Sequence, residues 1–258
     1  MNSLLQHTRQ IVREAGILAK EMIEHSTIQG YKENGEIYTE GDLFVEDWII
    51  SALSKSYPDY GIRSEEQGEL RTEGAEYVWI LDPIDGTRYY AKGNPLYSVS
   101  LALEQHGALV LGVVFCPEFE QMYCAYAGGG ATLNGWRIHV SELECLEEAL
   151  VCLEIPSKDS PPEELAWALD KLPVLIHGAQ RIRILGVSAI GLCLCAMGGV
   201  DAWVSLSSAW KEYDLAAGQI IVKEAGGQFR TFGRRIVAGP AALCEKVVAL
   251  LDLQEAVD

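Results

Sequence analysis

The strongest constraint in this 258-residue chain is the hexapeptide Asp82-Pro83-Ile84-Asp85-Gly86-Thr87, which closes the apolar run Tyr77-Val78-Trp79-Ile80-Leu81. A short apolar run bounded by Pro and Gly reads as a buried strand that delivers its last side chains to one rim of a sheet. Pro83 restricts the backbone path, and Gly86 permits a turn that other residues resist. Such a turn can aim two carboxylates and a carbonyl at one point. The Asp82 and Asp85 side chains and the Ile84 carbonyl are hard oxygen donors that suit a divalent cation such as Mg2+, while the Gly86 and Thr87 amides suit an anionic phosphate.

Composition narrows the classes of partner. A hydrophobic content of 49% over this length allows a substantial core, and a formal charge of -17 argues against a surface built to grip nucleic acid. The seven cysteines form an odd set without a Cys-x-x-Cys pair and read as reduced, buried thiols. The five histidines show no paired ligand spacing, which disfavours zinc. No run approaches the roughly 18 apolar residues of a membrane span. The N-terminal segment, broken by Arg9, Arg13, Glu14 and Lys20, does not read as a signal peptide, so the cytoplasm is the expected location.

Helical spacing of apolar residues predicts a first helix over about 3–25. A second is predicted from Thr39-x-x-Asp42, a capping-box pattern, with Phe44, Val45, Trp48, Ile49, Ala52 and Leu53 as its buried face and Tyr57-Pro58 as its stop. Runs at 98–103, 109–115 and 121–126, separated by turns such as Asn134-Gly135 and Gln105-His106-Gly107, read as an antiparallel meander. Beyond 140 the rhythm changes to strands near 149–153, 173–177 and 201–206 between helices near 162–171, 187–198 and 214–225, which suggests a mixed sheet covered by helices. Gly128-Gly129-Gly130 lacks the Lys-Ser/Thr ending of a nucleotide loop and reads as a hairpin turn. Halves of 1–140 and 141–258 are expected to pack as one catalytic unit spanning 1–258.

Two further motifs can complete the cradle: Ser64-Glu65-Glu66 after a predicted strand, and Tyr213-Asp214-Leu215-Ala216-Ala217-Gly218 opening a helix that ends at Gly226-Gly227. With these in view the chain resembles the inositol monophosphatase family. The matching residues are Ser64-Glu65-Glu66, Trp79 through Thr87, Asp214 through Gly218 and Glu224-Ala225-Gly226-Gly227, with weaker matches at Thr39-Glu40-x-Asp42 and Arg183-Ile184-Leu185-Gly186. The resemblance implies an α+β chain, a layered αβαβα sandwich with an antiparallel sheet in the N-terminal half and a mixed sheet in the C-terminal half. It also implies a Mg2+-dependent phosphomonoesterase, often a homodimer, acting on a small phosphate ester and not on nucleic acid or membranes.

Carried over residue by residue, one Mg2+ is expected on Glu65, Asp82 and the Ile84 carbonyl, and a second on Asp82, Asp85 and Asp214. A third, looser ion is expected near Glu65. Glu65, Thr87 and Asp85 are the expected catalytic residues, with Glu65 and the Thr87 hydroxyl orienting the attacking water, and Asp85, Gly86, Thr87, Gly186 and Ser188 would contact substrate. Asp42 reads either as a capping-box residue or as a support for the metals, and Arg88 either as a contact for a second anionic group or as a surface side chain. Asp214 alone would read as a helix cap, and the motif around it favours a ligand.

Departures from the family pattern fall where the leaving group would sit. Val187 follows Gly186 where Ser or Thr is usual, no Asp or Glu occupies 202–210, and Tyr213 stands where Trp is common. The expected substrate is inositol phosphate or another small polyol or sugar phosphate. Adenosine 3',5'-bisphosphate and histidinol phosphate are alternatives, and a noncatalytic regulator acting through protein contacts is the alternative of another class.

Overall fold

In a computed structural model, which describes residues 2–32 and 35–254, the chain forms five layers. The outer layer is α1 (Asn2–Met22) and α2 (Glu40–Ser56), with a two-stranded hairpin of β1 (Ile28–Tyr31) and β2 (Ile37–Thr39) between them. Leu5, Thr8, Val12, Ala15 and Ala19 follow one another along the buried stripe of α1.

The first sheet contains β3 (Gly61–Ser64), β4 (Gly68–Leu70), β5 (Tyr77–Asp85), β6 (Ser98–Gln105), β7 (Ala108–Cys116), β8 (Gln121–Tyr126), β9 (Gly130–Leu133) and β10 (Trp136–Arg137). Its order is β10-β9-β8-β7-β6-β5-β3-β4, a meander extended by β3, which runs parallel to β5. A four-residue helix, α3 (Thr87–Tyr90), follows β5 directly. The second sheet, ordered β12-β11-β13-β15-β14, is built from β11 (Leu150–Glu154), β12 (Arg181–Ile184), β13 (Ala202–Ser205), β14 (Gln228–Phe232) and β15 (Arg235–Gly239). It mixes parallel pairs with antiparallel ones, as expected. Helices α5 (Ser188–Ala196) and α6 (Glu212–Glu224) lie between the sheets, and α4 (Pro162–Gly178) and α7 (Ala241–Leu251) cover the far face.

Three apolar clusters bind these layers. Val12, Val45, Ile49 and Leu53 of the first helices pack on Trp79, Leu81 and Ile84. On the opposite face of the same sheet, Ile80, Val114 and Tyr123 meet α5 and α6, which also meet Cys152, Trp203 and Ala238 of the second sheet. The third cluster joins Val151, Val204 and Val237 to α4 and α7. The central cluster therefore draws on both sheets, and the pocket described below opens at its rim.

The decisive local event is a β-bulge. Along β5 and β6, Asp82 pairs with Ser100 and Asp85 pairs with Ser98, so three steps on one strand match two on the other. Residues three apart in a regular strand point to opposite faces, and one extra residue restores both carboxylates to the same face. The packing agrees: Leu81 and Ile84 both face the α1–α2 layer, whereas Ile80 faces α5 and α6. Pro83, which has no N–H to give to the ladder, sits inside the bulge.

Two expectations fail for physical reasons. The apolar run 173–177 is part of α4, not a strand: Glu164, Ala168 and Leu175 are buried at helical spacing, and the helix continues through Pro173. A short apolar run is compatible with either element. On α2 the inward row is Asp42, Val45, Glu46, Ile49 and Leu53, while Phe44 is exposed. Reading charge as solvent-facing rotates that helix wrongly, because two of its carboxylates point inward.

Gly86 occupies the left-handed region with φ of 97°, and an added Cβ would lie 2.7 Å from the Leu96 carbonyl oxygen. Gly86→Ala is expected to lower stability by about 2–3 kcal/mol through backbone strain and that clash, measurable by chemical denaturation. Gly68→Ala, also at positive φ but with open space around it, is expected to cost less.

Candidate active site

One pocket of about 220 Å3 gathers residues from five stretches of chain. Its lining includes Glu65, Asp82, Ile84, Asp85, Gly86, Thr87, Arg88, Gly186, Ser188 and Asp214. Every residue proposed from sequence for metal, water or substrate contact thus borders a single space, and Asp42 lies just behind it. Parallel pairing places the ends of β3 and β5 at one rim, so Glu65 and Asp82 arrive together, and the Glu65 amide extends the ladder by donating to Leu81 O at 3.2 Å. The bulge adds Asp85, and the first turn of α6 adds Asp214.

Each carboxylate is held by a different neighbour. Asp85 Oδ2 accepts the Ala189 amide at 2.8 Å, so this side chain caps the start of α5 in place of Val187, which offers no capping group. Asp214 Oδ2 accepts the Lys211 amide at 2.6 Å at the start of α6. Arg63 of β3 pairs with Glu212, tying the strand before Glu65 to the helix of Asp214. The Tyr89 hydroxyl donates to Leu185 O at 2.7 Å and fixes α3 against the segment that leads into Gly186.

Asp42 closes the capping box of α2 and also reaches the Thr87 hydroxyl. Its Oδ2 accepts from the Thr39 amide at 2.7 Å and from the Thr39 hydroxyl at 2.6 Å, closing the capping box of α2. Its Oδ1 lies 3.1 Å from the Thr87 hydroxyl, which is also 3.0 Å from the Ile84 carbonyl oxygen. Arg88 is exposed and donates to Gly35 O at 2.9 Å, fastening the β1–β2 connection to α3.

Burial sets the electrostatics. Asp82 is pushed well above the usual carboxylate range by burial, with Glu65, Asp85 and Asp214 adding to the effect. Burial likewise raises Asp214 well above that range and carries Asp85 to about 8 despite its amide bond. Asp42 is lifted to about 6 by burial, against the hydrogen bonds from Thr39. Like charges brought together out of water favour protonation unless a cation compensates.

Two contributors escaped the sequence reading. Lys32, in the β1–β2 connection, places Nζ 2.6 Å from both Glu65 Oε1 and Glu66 Oε1. Burial works against its charge, but the two glutamates carry its pKa above the ordinary lysine range. A lone lysine beside a Gly turn carries no sequence signal for this contact. Glu154 closes β11 half-buried, with its Oε1 atom out of solvent and lacking any hydrogen-bond partner. Burial raises it to about 7, Asp214 adds to the rise, and the Gly186 and Val187 amides oppose it. The amides of 186–189 thus face two carboxylates, Glu154 and Asp85. The Gly128–Gly130 turn holds no nucleotide feature: its Gly128 and Gly130 amides bind the Glu224 carboxylate at 2.8 and 2.7 Å, anchoring the end of α6.

Among the described residues, no group of three or more acidic, histidine or cysteine side chains is drawn into a metal-holding cluster. The donors nevertheless fit a hard cation in kind. They are carboxylate and carbonyl oxygens around one pocket, and Asp82 Oδ1 is buried without a hydrogen-bond partner.

The sequence matches the Inositol monophosphatase family over residues 1–252. The chain belongs to this family. It is 35% identical over 236 residues to a Pseudomonas aeruginosa protein named Nus factor SuhB, covering 90% of this chain and 86% of the relative. It is 33% identical over 229 residues to the inositol-1-monophosphatase of Mesorhizobium japonicum, covering 88% and 84%. The crystal structure of extragenic suppressor protein suhB from Bartonella henselae superposes with a TM-score of 0.90 at 27% identity, covering 96% of this chain and 98% of that one. The family has the αβαβα fold described above, and its members similar to this chain carry both enzyme and Nus factor names.

The raised pKa values give a pH signature. Carboxyls at about 6, 7 and 8 in the folded chain, against about 4 when unfolded, bind more protons folded than unfolded between those limits. Their contribution to stability is complete below about pH 4 and is lost as pH rises through 6 to 8. Without divalent cations, the melting temperature contributed by these groups is expected to fall from pH 5 to pH 8.5, and Mg2+ is expected to raise it more at pH 8.5 than at pH 5. Glu154→Gln should flatten part of the decline near pH 7, as read by thermal melts of the chelator-treated protein.

Proposed function

We propose that the chain is a Mg2+-dependent phosphomonoesterase that hydrolyses inositol phosphate or a related small polyol or sugar phosphate. The observation that carries this reading is the convergence of Glu65, Asp82, Asp85, Asp214, the Ile84 carbonyl and the Thr87 hydroxyl on one pocket, with Asp82 Oδ1 left unpartnered. Glu65, Asp82 and Ile84 would hold one ion, Asp82, Asp85 and Asp214 a second, and a third would sit near Glu65. When bound, Mg2+ supplies positive charge for the phosphate and lowers the pKa of water.

The protein's own groups account for the remaining work. The Thr87 hydroxyl can accept the proton of the attacking water while passing its own to Asp42 Oδ1. A carboxylate lifted to about 6 is a better proton acceptor near neutrality than one at its ordinary value. Glu65 borders the same space and orients the water from another side. The Gly86 and Thr87 amides, at the start of α3, fix the phosphate oxygens in line for attack. Glu154 and Asp85 hold the backbone at 186–189, where Gly186 and Ser188 meet the substrate. Water attacks phosphorus directly as the bond to the ester oxygen breaks, and the departing alkoxide takes a proton from solvent, so no phosphoenzyme forms.

A noncatalytic regulator is the reading suggested by relatives named Nus factor SuhB. That reading would be favoured by a broken acid set, whereas Glu65, Asp82, Asp85, Thr87 and Asp214 are all present. Phosphate release should require Mg2+ in a panel of inositol 1-phosphate, fructose 1,6-bisphosphate, adenosine 3',5'-bisphosphate and histidinol phosphate. Asp82→Asn should lower kcat/KM roughly 10²-fold or more. Thr87→Ala should lower kcat by about 10²- to 10⁴-fold with KM little changed. Release that persists without divalent cations, or is unaffected by Asp82→Asn, would overturn the mechanism.

A further inference from the structure

Glu46 lies on the inward row of α2, wholly out of contact with solvent. Its neighbours there, Val45, Ile49 and Leu53, pack apolar side chains against the first sheet. A carboxylate in that row loses its hydration, and its Oε2 gains no hydrogen-bond partner in return. Packing alone would favour another apolar residue. What the carboxylate adds is a directional bond: Oε1 accepts the Glu66 amide at 2.9 Å.

That bond falls on the turn that presents Glu65. β3 ends at Ser64, which pairs with Gly68 of β4, so Glu65, Glu66 and Gln67 form the connection between them. The Glu65 amide, donating to Leu81 O at 3.2 Å, fixes one side of the turn to β5. Glu46 fixes the next residue to α2, and Gln67 adds an exposed bond to Asp47 at 2.6 Å. The tie from Glu46 is the one shielded from water, where a bond to a charged acceptor is strongest.

Glu46 follows Asp42 by one helical turn, about 6 Å along the axis. Asp42 reaches the Thr87 hydroxyl, and Glu46 reaches the turn of Glu65. One rigid helix therefore sets the separation between the hydroxyl that faces the attacking water and the carboxylate that faces the metal.

We propose that Glu46 is a positioning residue for the metal centre: its bond to the Glu66 amide holds the Glu65 carboxylate in place to receive Mg2+. The inference rests on the Mg2+-dependent reading and extends it to a residue that does not line the pocket. Partners of this kind, which touch neither metal nor substrate, commonly account for roughly 10- to 100-fold in metal affinity.

The test is a crossed pair of variants, read by calorimetric titration of Mg2+ into the full-length protein at pH 7. Glu46→Asp keeps the charge but withdraws the acceptor by one methylene, and it is expected to raise the Mg2+ dissociation constant by roughly tenfold or more. Glu46→Gln removes the charge but keeps an acceptor oxygen at the same reach, and it is expected to stay within about threefold of the unsubstituted protein. Ile49→Val, which thins the same helix face without touching the turn, is expected to lower the melting temperature and leave Mg2+ affinity unchanged. Equal weakening in both Glu46 variants would assign the effect to charge, and full affinity in Glu46→Asp would leave the bond without a role; either result overturns the inference. Should Glu46→Asp fail to fold, amide exchange in the unsubstituted protein reads the same link: Mg2+ is expected to slow exchange at the Glu66 amide, and no change there overturns the inference. Absence of Mg2+ binding by the unsubstituted protein overturns the Mg2+-dependent reading as well.

Discussion

Five carboxylates gathered at and just behind one rim of a sheet, mostly out of water, are the condition on which the rest of this structure depends. Their mutual repulsion and loss of hydration oppose folding, and the surrounding chain offsets this group by group. Asp85 is met by the first amides of α5, Asp214 by the amide of Lys211, and Asp42 by Thr39. Lys32 supplies a side-chain cation against Glu65. Asp82 Oδ1 receives nothing from the protein. This incomplete compensation is what makes a divalent cation the natural completion of the site.

The bulge in β5 is the geometric device that creates the problem and the opportunity together. Without the extra residue, Asp82 and Asp85 would face different layers, and Asp85 would point toward the apolar packing of α1 and α2. With it, both face α5 and α6, where helix starts can meet them. Pro83 and Gly86 are the local chemistry of that path: one is tolerated where the ladder is interrupted, and the other takes the left-handed turn against the Leu96 carbonyl. Fold and site are therefore consequences of the same six residues.

Much of this was legible because it is local. The capping box at Thr39, the meander from 98 to 126 and the helix after Lys211 each carry a pattern that short-range physics explains. The five polar residues at 65, 82, 85, 87 and 214 carried the strongest motif signal, and they do border one pocket. What escaped depends on distant partners. Phe44 was placed inside because Asp42 and Glu46 were not expected on an inward row, and the run 173–177 is short enough to read as a strand although its burial follows the helical spacing of α4. Lys32 and Glu154 belong to the site only through contacts 32 residues or more away in sequence, with Glu65 and with the amides after Leu185. Neither residue type nor spacing announces such contacts.

The central claim is that raised carboxylate pKa values in the folded chain are the counterpart of Mg2+ binding. Calorimetric titration of Mg2+ into the protein at pH 7, repeated in buffers of different ionisation enthalpy, counts the protons displaced. Net release of about one proton or more per protein is expected, because the ions must displace protons held by the buried acids. Mg2+ binding without proton release, or the absence of binding at millimolar Mg2+, would contradict it.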